Sequence, residues 1–320
     1  MNNSIIQNKL NNKKNIPMPI MIVITFSILL LVGPTVVNMS VFAQGNTANQ
    51  AISQAQSSTQ LGVCVSGTGT LISCNNLNAQ NQANSGNNAL AQQGGSGSGA
   101  NTANQAISQA QTSKQNALCV SGTGTFVSCN NLNAQNQANS GNNALAQSGG
   151  SGSGKGGSGK GGNTANQGIG QSQTSNQNSG VVSGGDTKGS GNNQNTQNQA
   201  NSGNNAAAQQ GGSGKGGNTA NQGIGQSQTS NQNAQCVAGG SLSNSCSNTS
   251  TQNQANSGSN AVGQQGGSGK GGNTANQGIG QSQTSNQNAQ CVSGKDAIVS
   301  CDNESFQNQV NSGNNVLGQQ

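Results

Sequence analysis

Residues 46–56 read NTANQAISQAQ, and the opening string NTANQ recurs four more times along the chain. The copies start at Asn46, Asn101, Asn163, Asn218 and Asn273, with spacings of 55, 62, 55 and 55 residues. A period kept through such a simple composition indicates duplication of a structural unit. Within residues 46–56, Gln50, Ile52, Gln54 and Gln56 alternate with small residues, which is the pattern of a β-strand with two different faces.

Each repeat has four parts: a first arm, a segment bounded by cysteines, a second arm such as NAQNQANSGNNALAQQ (78–93), and a Gly/Ser linker. The two arms resemble each other, because residues 46–54 align without a gap with residues 84–92. The predicted organisation is a signal segment (1–43), repeat 1 (44–100), repeat 2 with a longer Gly/Ser/Lys linker (101–162), repeat 3 (163–217), repeat 4 (218–272) and repeat 5 (273–320).

The arms predict an all-β repeat fold of stacked strand–turn–strand units, either a β-solenoid or a curlin-like stack. Asn84-Ser85-Gly86 is a natural turn between two strands, and abundant Gly, Asn and Ser disfavour helix. Strands stacked in register would pair Asn with Asn and Gln with Gln, so that amide ladders replace much of a hydrophobic core. The alternative is a largely disordered, low-complexity chain, since aromatic residues make up only 1% of the sequence.

The composition provides few residues of the types that catalysis uses. The chain has no His, only four acidic residues, and charged residues amount to 4%, whereas general acid–base chemistry needs positioned His or carboxylate groups. We therefore predict a protein that is not an enzyme, with no cofactor and no metal. Beyond the leader, seven lysines face four acids, a net charge of +3. This weak excess, without interleaved aromatic residues, does not predict specific nucleic-acid binding.

The N-terminal segment predicts export. Residues 1–15 are largely polar and contain three lysines, and residues 20–32 are apolar. Val41-Phe42-Ala43 ends the segment, with small residues three and one before a plausible cleavage point. The apolar run of 13 residues is shorter than the ~20 that span a bilayer. We expect a signal peptide cleaved after Ala43, with an uncleaved anchor as the alternative, so that contact with a membrane would occur only through this leader.

The eight cysteines form four pairs, each with nine residues between its members, and repeat 3 lacks both of its cysteines. Loss of both and never of one predicts a disulfide within each repeat, which an exported setting permits. The predicted pairs are Cys64–Cys74, Cys119–Cys129, Cys236–Cys246 and Cys291–Cys301. We expect the segment between them, CVSGTGTLISC (64–74), to form a hairpin with Gly69 near its apex. A zinc site is the competing interpretation, but the spacing is not that of a zinc knuckle.

The second arm resembles the curlin repeat of secreted amyloid fibres, whose pattern is Gln-x₄-Asn-x-Ala-x₃-Gln. The matching positions are Gln82, Asn87, Ala89 and Gln93; Gln137, Asn142 and Ala144; Gln199, Asn204, Ala206 and Gln210; Gln254, Ala261 and Gln265; and Gln309, Asn314 and Gln320. Ser148, Ser259 and Val316 depart from the pattern, and so do the cysteines and long linkers. The resemblance implies strand–turn–strand modules that stack through these residues outside the cell.

Together these features predict an exported structural protein of the cell surface or biofilm matrix, whose main partner is another copy of itself. One alternative is a repeat module that binds surface polysaccharide or ice, which would show rows of Thr or Asn on one exposed face. A second is a disordered, hydrated spacer.

Overall fold

The computed structural model describes residues 47–93, 101–149, 162–211, 216–266 and 271–320. The predicted leader and most of the Gly/Ser linkers lie outside these described residues. All secondary structure within them is β-strand, which confirms the predicted fold class.

Each repeat forms one turn of the stack, here called a coil. Every coil contains four strands, and equivalent strands have similar lengths in all five coils. The strands are β1 (Thr47–Ser66), β2 (Thr70–Leu71), β3 (Asn76–Asn84) and β4 (Asn88–Gln93) in coil 1; β5 (Asn101–Ser121), β6 (Thr125–Phe126), β7 (Asn131–Asn139) and β8 (Asn143–Ser148) in coil 2; β9 (Asn163–Ser183), β10 (Thr187–Lys188), β11 (Asn193–Asn201) and β12 (Asn205–Gln210) in coil 3; β13 (Thr219–Ala238), β14 (Leu242–Ser243), β15 (Asn248–Asn256) and β16 (Asn260–Gln265) in coil 4; and β17 (Thr274–Ser293), β18 (Ala297–Ile298), β19 (Asn303–Asn311) and β20 (Asn315–Gln319) in coil 5.

Equivalent strands of successive coils pair in parallel and form four sheets of five strands each. These are the long sheet (β1-β5-β9-β13-β17), the corner sheet (β2-β6-β10-β14-β18), the nine-residue sheet (β3-β7-β11-β15-β19) and the six-residue sheet (β4-β8-β12-β16-β20). The register places like residues side by side: Gln50 pairs with Gln105, and Ile52 with Ile107. The repeat of the sequence is therefore also the register of the sheets.

Each coil has two layers: the chain runs out along the long sheet and returns through the nine-residue and six-residue sheets, here called the return layer. Gln56 Nε2 donates to the carbonyl of Asn81 at 3.1 Å, and Gln50 Nε2 donates to that of Ala89 at 3.2 Å. Residues early in the long strand thus face residues late in the coil, so β3 and β4 both run antiparallel to β1 across the interior. The predicted turn at residues 84–86 separates two strands as expected, but it bends the return layer without reversing the chain.

The bend stacks closely on the bend of the next coil. A Cβ on Gly141 would lie 2.1 Å from the carbonyl oxygen of Gly86, and one on Gly203 would lie 2.1 Å from that of Gly141. Only glycine permits this approach of one backbone to the next, which explains why Asn-Ser-Gly recurs at the bend of all five repeats.

The core contains three narrow apolar columns. One is formed by Ile52, Ile107, Ile169 and Ile224, a second includes Leu90, Leu145 and Val262, and the third is centred on the cysteines. Buried Gln, Asn and Ser side chains fill the space between these columns. Strict alternation along the long strands directs this mixed set inward and leaves the other face to solvent.

Candidate functional site: the amide ladders

The inward glutamines use both amide hydrogens. Gln173, which is fully buried, donates from Nε2 to Gln111 Oε1 of the preceding coil at 3.0 Å and to the carbonyl of Asn198 at 3.1 Å. Its own Oε1 accepts from Gln228 Nε2 of the next coil at 3.0 Å. One side chain thus ties three coils together along the stack and joins the two layers of its own coil. Buried amides are stable only when bonded in this way.

The inward glutamine ladders have a common direction. In each column the later coil donates to the earlier one, as Gln105 does to Gln50 in the long sheet and Gln137 does to Gln82 in the return layer. The columns that repeat this arrangement begin at Gln50, Gln54, Gln56, Gln60, Gln80, Gln82 and Gln92.

The inward asparagines of the return layer run the other way. Asn88 Nδ2 donates to Asn143 Oδ1 of the next coil at 2.9 Å and to the carbonyl of Ala106, also in the next coil, at 3.1 Å. The columns that start at Asn76, Asn78 and Asn84 share this direction. The stack therefore has a polarity, and its first and last coils present different groups to a further coil.

The first glutamine of the curlin-like motif lies in one of these ladders. Gln82, Gln137, Gln199, Gln254 and Gln309 form a continuous column in which each Nε2 donates to the preceding Oε1 at 3.0–3.1 Å. The structure thus brings the five residues into contact across all five coils.

The other positions of the motif face outward. Asn87, Asn142 and Asn204 accept through Oδ1 from the backbone N–H of the next coil, at 2.7 Å in each case, and Asn314 donates its backbone N–H to Ser259 Oγ at 3.1 Å. The alanine and last-glutamine positions form two columns along the six-residue sheet, and all their side chains are exposed except that of Ser148, which is half-buried. The columns are Ala89, Ala144, Ala206, Ala261 and Val316, and Gln93, Ser148, Gln210, Gln265 and Gln320.

The residues that do point inward on the six-residue sheet are Asn88, Leu90 and Gln92. Because alternation continues through the bend, the even-numbered side of coil 1 stays inward on both sides of it. The spacing of five between Gln82 and Asn87 is odd, so the two side chains must lie on opposite faces. The alignment of the two arms in the sequence indicates the inward residues correctly, since Asn88, Leu90 and Gln92 align with Gln50, Ile52 and Gln54.

All four predicted disulfides are present, and the third coil has none. Cys64–Cys74, Cys119–Cys129, Cys236–Cys246 and Cys291–Cys301 are bonded, with Cα atoms 6.0–6.1 Å apart. In coil 3 the equivalent positions hold Val181, in register with Cys119 and Cys236, and Gly191. Val181 and the cysteines belong to the third apolar column.

The predicted hairpin between the cysteines is wrong. The short strand β2 pairs with β6 of the next coil, and so on through the corner sheet. The segment is the corner where the chain passes from the long sheet to the return layer, and the disulfide closes this corner across the interior. Parallel pairing between coils places in strands the same Thr and aliphatic residues that a hairpin would have used.

The corner carries backbone strain at two positions in each of coils 1, 2, 4 and 5. Ile72 and Cys74 have φ angles of +47° and +54°, and their equivalents in coils 2, 4 and 5 are also positive. Such conformations are unfavourable for residues with a Cβ, above all for β-branched ones. In coil 3 both positions are glycines, Gly189 and Gly191, with φ of +61° and +72°.

The outer face of the long sheet displays polar rows. One row consists of five threonines and a second of five asparagines, each continuous along the stack: Thr47, Thr102, Thr164, Thr219 and Thr274, and Asn49, Asn104, Asn166, Asn221 and Asn276. The asparagines of the second row donate Nδ2 to Oδ1 along the column at 2.7–2.9 Å. This part of the face is therefore polar and hydrogen-bonded along the stack.

Charged side chains are few on this scaffold. Lys188 Nζ lies 5.7 Å from the ring centre of Phe126, and Asp186 accepts a backbone hydrogen bond from Ser241 at 2.8 Å. Among the described residues there is no group of three or more His, Cys, Asp or Glu side chains that could hold a metal ion. The same part of the chain contains no helix long and apolar enough to cross a membrane.

Within the repeats, Asn248-Thr-Ser and Asn303-Glu-Ser are acceptor sequences for N-glycosylation, and their asparagines have different surroundings. Asn248 is fully buried and donates Nδ2 to the carbonyl of Asn288 and to Asn303 Oδ1, both at 2.8 Å. Asn303 lies in the last coil and is exposed.

Comparison with protein-family models, with curated proteins and with solved structures finds no match to this chain. Its class thus follows from its own geometry: a β-solenoid-like repeat protein of parallel strands whose interior is held largely by polarised amide ladders. The resemblance to curlin repeats stays a prediction.

Proposed function

We propose that the protein is an exported structural subunit that associates end to end with copies of itself and forms fibres at the cell surface or in an extracellular matrix. The observation that carries this proposal is the complementarity of the first and last coils. The outer strands β1 and β17 are the two edges of the long sheet, and unpaired strand edges of this length are templates for further strands.

The glutamine ladders are complementary at the two ends. In coil 5, Gln283 donates its amide hydrogens to Gln228 Oε1 and to the carbonyl of Asn308, so its Oε1 is open toward a further coil. In coil 1, Gln56 donates one hydrogen to the carbonyl of Asn81 and accepts from Gln111, so its second amide hydrogen is open. Stacking coil 5 of one copy beneath coil 1 of another would join these two groups.

The asparagine ladders are complementary in the opposite sense. Asn315 accepts from Asn260, which leaves its Nδ2 open at the end of coil 5, while Asn88 Oδ1 is the open acceptor of coil 1. Two ends that differ in this way make a head-to-tail contact, and such contacts generate open filaments when the rotation does not close a ring. Both ladder types continue through the junction without any rearrangement of side chains.

Export is supported by the leader sequence and by the disulfides, which are compatible with an oxidising compartment. The N-terminus of the chain recovered outside the cell would test it, with Gln44 expected as the first residue after cleavage. An intracellular chain with eight reduced thiols would contradict it.

Assembly is tested on the full exported chain, purified under oxidising conditions and concentrated stepwise. We expect filaments in electron micrographs and a diffraction spacing of about 4.7–4.8 Å along the filament axis. A chain that sediments as a monomer at every concentration would overturn the proposal.

The rows of Thr and Asn on the long sheet favour a second candidate, a module that binds polysaccharide. Hydroxyl and amide groups spaced at about 4.8 Å could bond a regular polymer along the stack axis. Cosedimentation with insoluble glycans tests it, using a chain in which Thr164 and Thr219 are replaced by Val. Unchanged binding by that chain would count against the row of threonines.

A further inference from the structure

Large apolar side chains are exposed at the corner of the stack, and they are unevenly distributed among the coils. In the outward column that begins at Leu71, the residues are Leu71, Phe126, Lys188, Ser243 and Ile298. The next column holds Ile72, Val127, Gly189, Asn244 and Val299. The apolar members therefore belong to coils 1, 2 and 5, whereas coils 3 and 4 carry a charged, polar or small residue.

These end residues are well exposed in the single chain. Leu71 is 64% exposed and Ile298 is 58% exposed, and Ile72, Val292 and Val299 are similarly open. Lys188 stacks on the ring of Phe126 and so bounds the apolar run of coils 1 and 2 on its inner side. In coil 4 the polar residue Ser243 is the register partner of Ile298 and bounds the apolar patch of coil 5.

The two separate patches become one if coil 5 of one copy lies next to coil 1 of another. In that arrangement Ile298 would lie beside Leu71, as equivalent residues of successive coils lie beside each other within one chain. Val299 would lie beside Ile72 in the same manner. Each column would then contain three consecutive apolar residues, with Leu71 or Ile72 in the middle. Within one chain these runs are incomplete.

We propose that this apolar ridge, formed by Ile298 and Val299 of one copy with Leu71, Ile72, Phe126 and Val127 of the next, is the contact that specifies the junction between subunits. This inference rests on the proposed end-to-end assembly and names its partner surface. The polarity of the amide ladders already makes the junction head-to-tail, but Gln54 and Gln56 lie two residues apart on the same inward face. Amides alone would therefore also accept a strand shifted by two residues. The ridge is continuous only in the unshifted register, so it selects that register at the junction of coil 5 with coil 1.

The test uses the full chain with single substitutions on either side of the junction. Leu71→Lys or Ile298→Glu alone would place a charge against an apolar neighbour, and we expect each to raise the critical concentration for filament formation by about tenfold or more. A matched control, Val237→Lys, alters an exposed apolar residue of the long sheet in coil 4 and should leave the critical concentration unchanged.

Mixing the two end variants separates a junction defect from a folding defect. The Leu71→Lys chain keeps a normal coil 5, and the Ile298→Glu chain keeps a normal coil 1. An equimolar mixture can alternate apolar junctions with Lys–Glu junctions, so we expect filaments in the mixture at concentrations where neither variant assembles alone. Misfolded chains would not be rescued in this way.

Each failure has a separate meaning. A wild-type chain that never assembles would overturn both the ridge and the proposed function. If the wild-type chain assembles and the end variants match it, or if the control is equally impaired, the ridge is wrong while assembly stands. If the end variants assemble normally but lose binding to phosphatidylcholine vesicles that the wild-type chain binds, the patches face a lipid surface and the junction proposal is overturned.

Discussion

Gly191 in coil 3 occupies the left-handed backbone position that Cys246 occupies in coil 4, with φ of +72° and +55° respectively. The Gly191 amide donates to Ser128 and the Cys246 amide donates to Ser190, both at 2.9 Å, so the two residues have equivalent places in the stack. The coil without a disulfide is therefore also the coil that avoids a strained side chain there. We infer that each disulfide offsets the strain of its own corner, and that coil 3 needs no such offset.

Replacement of Gly191 by Ala should destabilise the protein by about 1–3 kcal/mol, because Ala is unfavourable at positive φ. The added Cβ would also lie 2.9 Å from Cys246 Sγ and 3.0 Å from Val181 Cγ2. Urea unfolding followed by circular dichroism measures the change. Gly225→Ala is the matched control, because no atom lies within 4 Å of its Cβ position and its effect should be small. Equal losses from both substitutions would contradict the strain argument.

Reduction of the disulfides should loosen four corners and spare the third. Each ten-residue closure contributes about 2–3 kcal/mol under the chain-entropy model, and the strain at positions such as Ile72 and Cys74 then has nothing to offset it. Hydrogen exchange with and without reductant measures this effect. We expect faster exchange in residues 65–73, 120–128, 237–245 and 292–300, and little change in residues 182–190. Uniform acceleration across all five corners would show that the disulfides act on the whole stack instead.

Removal of one inward amide should cost more than its own hydrogen bonds. Gln173→Ala leaves Gln111 Oε1 and one amide hydrogen of Gln228 without partners in the buried layer, and it removes a hydrogen bond to the carbonyl of Asn198. Each unsatisfied group costs about 1–3 kcal/mol. Denaturant unfolding should therefore show a loss of about 3 kcal/mol or more. Thr174→Ala, on the outward side of the same strand, should change stability by less than about 0.5 kcal/mol. A small loss for Gln173→Ala would indicate that the ladder contributes little.

Much of this fold follows from period and alternation alone. The alternation around Ile52 predicts its burial, and the joint loss of both cysteines in repeat 3 predicts pairing within each repeat. The pairing partner of the corner strand could not be predicted, because a hairpin within one repeat and a parallel ladder between repeats both accept CVSGTGTLISC. The curlin-like motif does not indicate which face of the second arm is inward, whereas alternation through the bend decides it and directs Asn88 inward and Asn87 outward. Ladder direction depends on amide orientation, which residue identity does not encode.

The Asn column that begins at Asn78 ends early, and this makes a stabilising substitution available. In coils 1 to 3 the inward residue is Asn78, Asn133 or Asn195, and its Nδ2 donates to a serine in the long strand of the next coil at 2.9 Å. In coil 4 the equivalent residue is Ser250. Its hydroxyl and that of Ser285 are buried and have no hydrogen-bond partner among the described residues.

Ser250→Asn should therefore raise the free energy of unfolding by about 1–3 kcal/mol, because it extends the column by one residue and pairs polar groups that are now unsatisfied. The new Oδ1 can accept from Asn195 Nδ2. The new Nδ2 can donate to Ser285 Oγ in coil 5, as Asn195 in coil 3 donates to Ser230 in coil 4. Thr251→Asn changes the neighbouring, outward-facing residue and should be nearly neutral. Combining Ser250→Asn with Ser285→Ala separates the two contacts: the gain should shrink but persist if the bond to Asn195 forms. A Ser250→Asn chain that unfolds at lower denaturant than the wild-type chain would show that the interior of coil 4 lacks room for the larger amide.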